Sequence, residues 1–208
     1  MKKLISAMAL TLSLGISPFA AVAKPAAPDT AKVITKEMIE DIHKWIDTDV
    51  VRQSIVAQNV RYGELAQEKI DALDKQWREE READDKPLIA ATLSNPLSVY
   101  LSRMQGKSVG LFVEIFVMDN KGLNVGQSSI TSDYWQGDEA KYQKTFPADG
   151  MDMFIDEAEW DEDFKIWRAQ VNIPIRNEDG SKKIGAATIE VNLTEAQRRV
   201  MPEASEAF

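Results

Sequence analysis

From Ile39 to Trp77 the apolar residues return every three or four positions. Ile39, Ile42, Ile46 and Val50 form one set, and Ala66, Ile70, Leu73 and Trp77 form another. That spacing lays each set along one face of a helix. Thr35 can cap a helix starting at Lys36, with Glu37 in its first turn. Few breakers intervene before Glu82, and Asp71→Lys75 and Asp74→Arg78 add i,i+4 ion pairs worth about 0.2–0.5 kcal/mol each. Thr48-Asp49 and Gly63 are the points where the chain can break. The pattern fits one long bent helix as well as two or three in series. Pro87 closes the region, because a residue before proline avoids the helical conformation. Asn95, a plausible N-cap with Pro96 at the first helical position, predicts a further short helix over 95–106.

Beyond Gly110 the period falls from about 3.6 to 2. "GLFVEIFVMDNKGLNVGQSS" reads as strand, turn and strand, with Asp119-Asn120-Lys121-Gly122 supplying the turn chemistry. Alternation puts Leu111, Val113, Ile115 and Val117 on one face and Phe112, Glu114, Phe116 and Met118 on the other. Asp138 to Tyr142 reads as a short helix and "DMFIDEAEW" as a further strand. "FKIWRAQVNIPI" and "KIGAATIEVNL" are two more strands, joined by a second turn at Asn177-Glu178-Asp179-Gly180. A helical region (35–85) before about five antiparallel strands (108–195) defines an α+β domain: a long N-terminal helix packed on a five-stranded antiparallel sheet. It spans residues 35–198, after a flexible leader at 24–34 and before a tail at 199–208.

The first residues change the picture of where the protein works. Met1-Lys2-Lys3, an apolar run from Leu4 to Phe19, and Ala21-Val22-Ala23 have the build of a secretory signal peptide cut after Ala23. The expectation is a periplasmic protein with no second apolar run long enough to span a membrane. Cleavage leaves 185 of the 208 residues and, with Lys2 and Lys3 gone, moves the net charge from −9 to −11. Such acidity suits neither nucleic acid nor an anionic membrane surface. The absence of cysteine rules out disulfides, thiolate catalysis and thiolate metal sites, and a lone His43 rules out a multi-histidine site. No cofactor motif is present.

The strand-turn-strand "VEIFVMDNKGLNVGQSS", the stretch "DYWQGDE" and the hairpin "VNIPIRNEDGSKKIGAATIEVNL" come in an order that resembles a Cache-type sensor domain, the extracytoplasmic PAS-like fold also called PDC. Ile184-Gly185 at the start of the last strand fits that pattern. The resemblance covers residues 35–195. It implies a five-stranded antiparallel sheet, a small-molecule pocket between the sheet and the 132–146 segment, and a role in sensing. With no apolar run after the last strand, the expected form is a stand-alone binding protein or one that docks on a membrane-bound signalling partner.

Within "SDYWQGDEAKYQKTF", Tyr134 and Trp135 offer apolar area with polar tips, and Asp138 or Lys141 could fix a charged group on a ligand. The same residues could instead plug the core and cap a turn. Glu114, between Phe112 and Phe116, is either a pocket residue facing a cation or donor, or an edge residue in water. Phe116 shares its face. Arg168 and Gln170 alternate with core positions and line the pocket if that face does; Arg168 could then grip a carboxylate bidentately. Tyr100 and Arg103, three apart on the short helix, could reach the same cavity. The acidic run 156–163 lacks the glycine and glutamate spacing of a calcium loop and reads as a solvated face. His43 has no triad partners. Two readings follow. One is a non-catalytic periplasmic protein that binds or senses a small polar metabolite of the carboxylate or amino acid class. The other is a structural or interaction protein, a homodimer through the N-terminal helix or docked on a membrane partner.

Overall fold

In the computed structural model, residues 24–147 and 153–201 are described; the expected signal peptide and residues 202–208 of the expected tail lie outside them. The helical region is not one rod. Helix α1 (Thr30–Val33) is followed by α2 (Lys36–Ile46), α3 (Asp49–Tyr62), α4 (Gln67–Glu82), α5 (Pro87–Leu93) and α6 (Pro96–Lys107). The breaks fall where the sequence allows them. Thr48 is extended at the head of α3, and the Gly63–Ala66 stretch separates α3 from α4. The caps at Thr35 and Asn95 form as expected: Thr35 Oγ1 accepts from the Met38 amide and Asn95 Oδ1 from that of Ser98.

The strands are β1 (Phe112–Met118), β2 (Asn124–Gln127), β3 (Phe154–Ile155), β4 (Glu159–Asp161), β5 (Ile166–Arg176) and β6 (Lys183–Asn192). They pair antiparallel in the order β2-β1-β6-β5-β3, and β4 shares the β5 edge with β3, so the sheet is five strands wide. The segment expected as one strand around 152–160 is therefore two short ones, separated by residues 156–158. Helix α7 (Ala140–Gln143) lies between β2 and β3.

One face of the sheet carries the main core. Ile115, Val117, Val171, Ile173, Ile175, Ala187, Ile189 and Val191 pack with Ile42 and Ile46 of α2, Val51 and Ile55 of α3, and Leu97 and Leu101 of α6. Each of these larger side chains contributes roughly 1.5–3 kcal/mol on burial. Alternation places Ile115 and Val117 correctly. A bulge between Phe112 and Glu114 then reverses the phase, and Phe112 joins the core face, its ring 5.7 Å from that of Trp45.

Two terminal segments differ from expectation. Residues 24–34 are packed: Asp29 caps α1, Val33 and Ile34 are buried, and Trp167 Nε1 donates to the Pro25 carbonyl. After β6 the chain turns at Asn192, whose side chain accepts from the Glu195 amide, into helix α8 (Leu193–Val200). Thus α8 occupies residues expected as strand end and tail, and α1 packs against it.

Candidate functional site

The opposite face of the sheet is polar in its middle and apolar at one end. Side-by-side residues on β1, β6 and β5 form rows: Glu114, Glu190 and Gln170; then Phe116, Thr188 and Asn172; then Met118, Ala186 and Pro174. Tyr142 of α7 and Phe146, stacked at 5.4 Å, cover the apolar end by packing on Phe116, Met118 and Ala186. In the middle row Thr188 Oγ1 donates to Asn172 Oδ1 at 2.7 Å. Over the first row there is a cleft of about 780 Å³.

Its floor is Glu114, Glu190, Gln170 and Arg168; its walls are the Ser129–Ser132 loop, Glu139 to Lys141 of the α7 segment, and the β3–β4 connection with Phe164 beyond it. Arg168 is shared among three carboxylates, with Asp161 at 3.2 Å, Glu190 at 3.5 Å and Glu159 at 3.7 Å. Asp161 also accepts from the Phe164 and Asp163 amides, and these bonds hold its carboxyl below the usual range. Lys141 Nζ is 2.9 Å from Glu139 and 3.2 Å from Gln136 Oε1, and stands over the ring of Phe116. Glu114 accepts from the Ser129 hydroxyl at 2.7 Å. Loss of water raises the carboxyls of both Glu114 and Glu190, Ser129 opposing this at the first and Arg168 at the second, while the Glu114 charge pushes Glu190 up further.

Of the residues singled out from sequence, Glu114, Lys141, Arg168 and Gln170 line the cleft and Phe116 is buried beneath Lys141. The others are elsewhere. Tyr134 and Trp135 run along the free edge of β2: the Tyr134 carbonyl accepts from the Asn124 amide, and Trp135 pairs with Leu123. The rings point away from the sheet. Tyr134 stacks on Trp77 of α4 at 5.3 Å in a second apolar cluster with Ile70 and Ile89, and Trp135 Nε1 donates to the Lys121 carbonyl. The aromatic cover over the sheet is Tyr142 and Phe146 instead. Asp138 is exposed. Tyr100 lies on the core side, its hydroxyl donating to the Trp45 carbonyl, and Arg103 is exposed on α6. Sequence reading missed Ser129, Phe164 and Glu190. Glu190 had a signal: in "ATIEVN" it alternates with Thr188, two polar positions in a strand otherwise apolar.

His43 sits on α2, on the other side of the sheet, bonded to Asp47 at 2.7 Å. Among the described residues no helix is long and apolar enough to cross a membrane, and no group of three or more His, Cys, Asp or Glu is placed to hold a metal ion.

No family model and no curated protein matches the chain. Solved structures do. The sensory domain of the Campylobacter jejuni chemoreceptor Tlp3 aligns at 17% identity with a TM-score of 0.38, over 77% of this chain and 64% of that one. The ligand-binding domain of the Pseudomonas aeruginosa amino acid chemoreceptor PctC, in complex with GABA, aligns at 15% identity and TM-score 0.34, over 79% and 69%. The sensor domain of the V. cholerae histidine kinase DctB aligns at 11% and 0.37, over 80% and 60%. These structural neighbours are sensory ligand-binding domains, and the chain spans less than two thirds of the first of them.

Proposed function

We propose that this protein is a non-catalytic binding or sensing domain that takes a small polar metabolite, of the carboxylate or amino acid class, in the cleft above the sheet. A signal peptide at 1–23 would export it to the periplasm, where it reports occupancy to a membrane-bound signalling partner. One observation carries the reading: a cleft of about 780 Å³ whose floor is a row of charged and polar side chains, Glu114, Glu190 and Gln170, on one face of the sheet. Polar and charged side chains on a central sheet face are costly without partners, so their convergence under an open volume supports a binding site over an accident of packing. Occupancy would act by population shift, favouring the arrangement in which the α7 segment packs on the sheet beside the cleft.

A second reading has its own observation. Val56 and Val60, one turn apart on α3, are 47% and 83% exposed, and they suit a homodimer or a partner's surface. One set of samples tests both. A metabolite screen by thermal unfolding should find a ligand that raises Tm, since binding to the folded state alone stabilises by about 2.7 kcal/mol at a hundredfold excess over Kd. Light scattering on the same samples gives the mass. No shift across amino acids, carboxylates and amines, together with a dimer lost in Val60→Lys, would move the function from the cleft to α3.

A further inference from the structure

The cleft floor holds two carboxylates in a place where they repel. Glu114 and Glu190 are direct cross-strand partners on β1 and β6, both turned to the cleft. Such pairs have Cβ atoms about 5 Å apart, and like charges there destabilise the sheet. The neighbouring cations do not resolve the conflict. Arg168 divides itself among Asp161, Glu190 and Glu159, and Lys141 is held by Glu139 and Gln136. Arg81, the third lining cation, is exposed at the rim on the Ser132 carbonyl. Among the described residues the Glu114 carboxylate makes one hydrogen bond, to the neutral Ser129 hydroxyl, and Lys141 and Arg168 act on it only at longer range. Among the described residues of the lining, six carboxylates face three cations. One more lining residue is out of place for a solvated acidic wall: Phe164, 72% exposed. An open aromatic face beside carboxylates is a setting that attracts an organic cation.

We propose that the ligand of this cleft is a cationic amine, bound through its ammonium between Glu114 and Glu190, and that a simple carboxylate does not bind. The proposal rests on the cleft being the ligand site; it keeps the amino acid side of that reading, through the ammonium group, and drops the carboxylate side. An ammonium has three N–H bonds, and the row supplies three acceptors, Glu114, Glu190 and the side-chain carbonyl of Gln170. Asp156 and Glu157 on the wall give a second acidic position, so a diamine is satisfied at both ends. Carboxylate recognition needs a cation with free donors, and the two cations reaching the floor already carry carboxylates.

The test is calorimetric and thermal-shift titration at pH 7.5 and low salt with 1,4-diaminobutane, butylamine and butyrate. We expect both amines to raise Tm, the diamine more, and butyrate to do nothing. Glu114→Gln keeps the shape and the Ser129 bond but removes the charge, and should weaken the diamine at least tenfold; Glu190→Gln, a second site, should do the same. Undiminished diamine binding in both folded variants overturns the assignment. Butyrate binding without amine binding overturns the sign of the ligand and leaves the cleft as the site. If neither class binds the wild-type protein, this assignment falls, and the cleft reading itself stands or falls with the wider screen that includes amino acids.

Discussion

Asp74 shows how one buried side chain sets the direction of a loop. It is 3% exposed, and its Oδ1 accepts from the amides of both Tyr134 and Trp135, at 2.9 and 3.1 Å, while Oδ2 meets Arg78. Those bonds fix residues 133–136 against α4 and turn the Tyr134 ring onto Trp77, whose Nε1 donates to the Thr131 carbonyl. Asp74→Ala strips acceptors from two amides, one of them buried, and should cost about 3 kcal/mol in a denaturant titration. Asp74→Asn keeps one acceptor and should cost less. A loss under 1 kcal/mol in the alanine variant would mean that stacking alone holds the loop. From sequence, Asp74→Arg78 is legible as an ion pair, but its second task is not, because the amides it binds lie 60 residues away. The same distance hides the fate of Tyr134 and Trp135. An irregular loop has no period to say which way a ring points, whereas Glu114, Gln170 and Arg168 sit in strands, where alternation does say it.

At the scale of elements, the regular parts were legible and the ends were not. The turn at Asp119–Gly122 forms as its residues demand. Asp119 Oδ1 accepts from the Lys121 and Leu123 amides, and Gly122 takes a φ of 84°. A methyl group at Gly122 would also fall 2.6 Å from the Gly137 Cα, so hairpin and loop meet backbone to backbone. Phase errors come from single insertions: the Phe112–Glu114 bulge flips one phenylalanine, and nothing in the composition marks it. Short helices escape for another reason. Four residues in α1 are too few to show a period, and in α8 the helical spacing of Leu193, Ala196 and Val200 follows directly on the apolar run of β6, which hides it; each has its own cap, Asp29 and Asn192, and the two pack together. The leader therefore contributes to stability. Removing residues 24–34 exposes what Val33 and Ile34 cover and opens the Trp167–Pro25 bond. We expect a loss of about 3 kcal/mol, at about 1.5 kcal/mol per aliphatic side chain, which is the low end of the burial scale. Thermal unfolding followed by tryptophan fluorescence reads it directly, and an unchanged Tm would return the segment to the loose leader expected from its prolines and alanines.

For the molecule as a whole the acidic balance, −9 across 34 acids and 25 bases, is divided between two kinds of carboxylate with opposite pH behaviour. Glu195 on α8 is held down to about 2, first by its Arg198 bond and then by Arg199. A carboxyl depressed in the folded state adds stability that is present above its unfolded value of 4.5 and is lost as pH falls toward 2. Glu114, Asp119 and Glu190 are raised, desolvation being the main cause in each. A raised carboxyl works the other way. Its folded form binds protons more tightly, so stability is greatest below the unfolded value and declines as pH rises through the folded one. Arg168, Lys141, Gln170 and Ser129 face the Glu114–Glu190 pair and limit that decline without removing it. Urea midpoints from pH 2 to 8 separate the two kinds. Glu195→Gln should be less stable than wild type at pH 7, by an amount that shrinks to nothing near pH 2. Glu190→Gln should gain on wild type between pH 4.5 and 7, because an amide at that position does not repel Glu114. If Glu190→Gln instead loses ground steadily over that range, the Arg168 attraction outweighs both burial and the opposing carboxylate, and the cleft floor is electrostatically satisfied with no ligand in it.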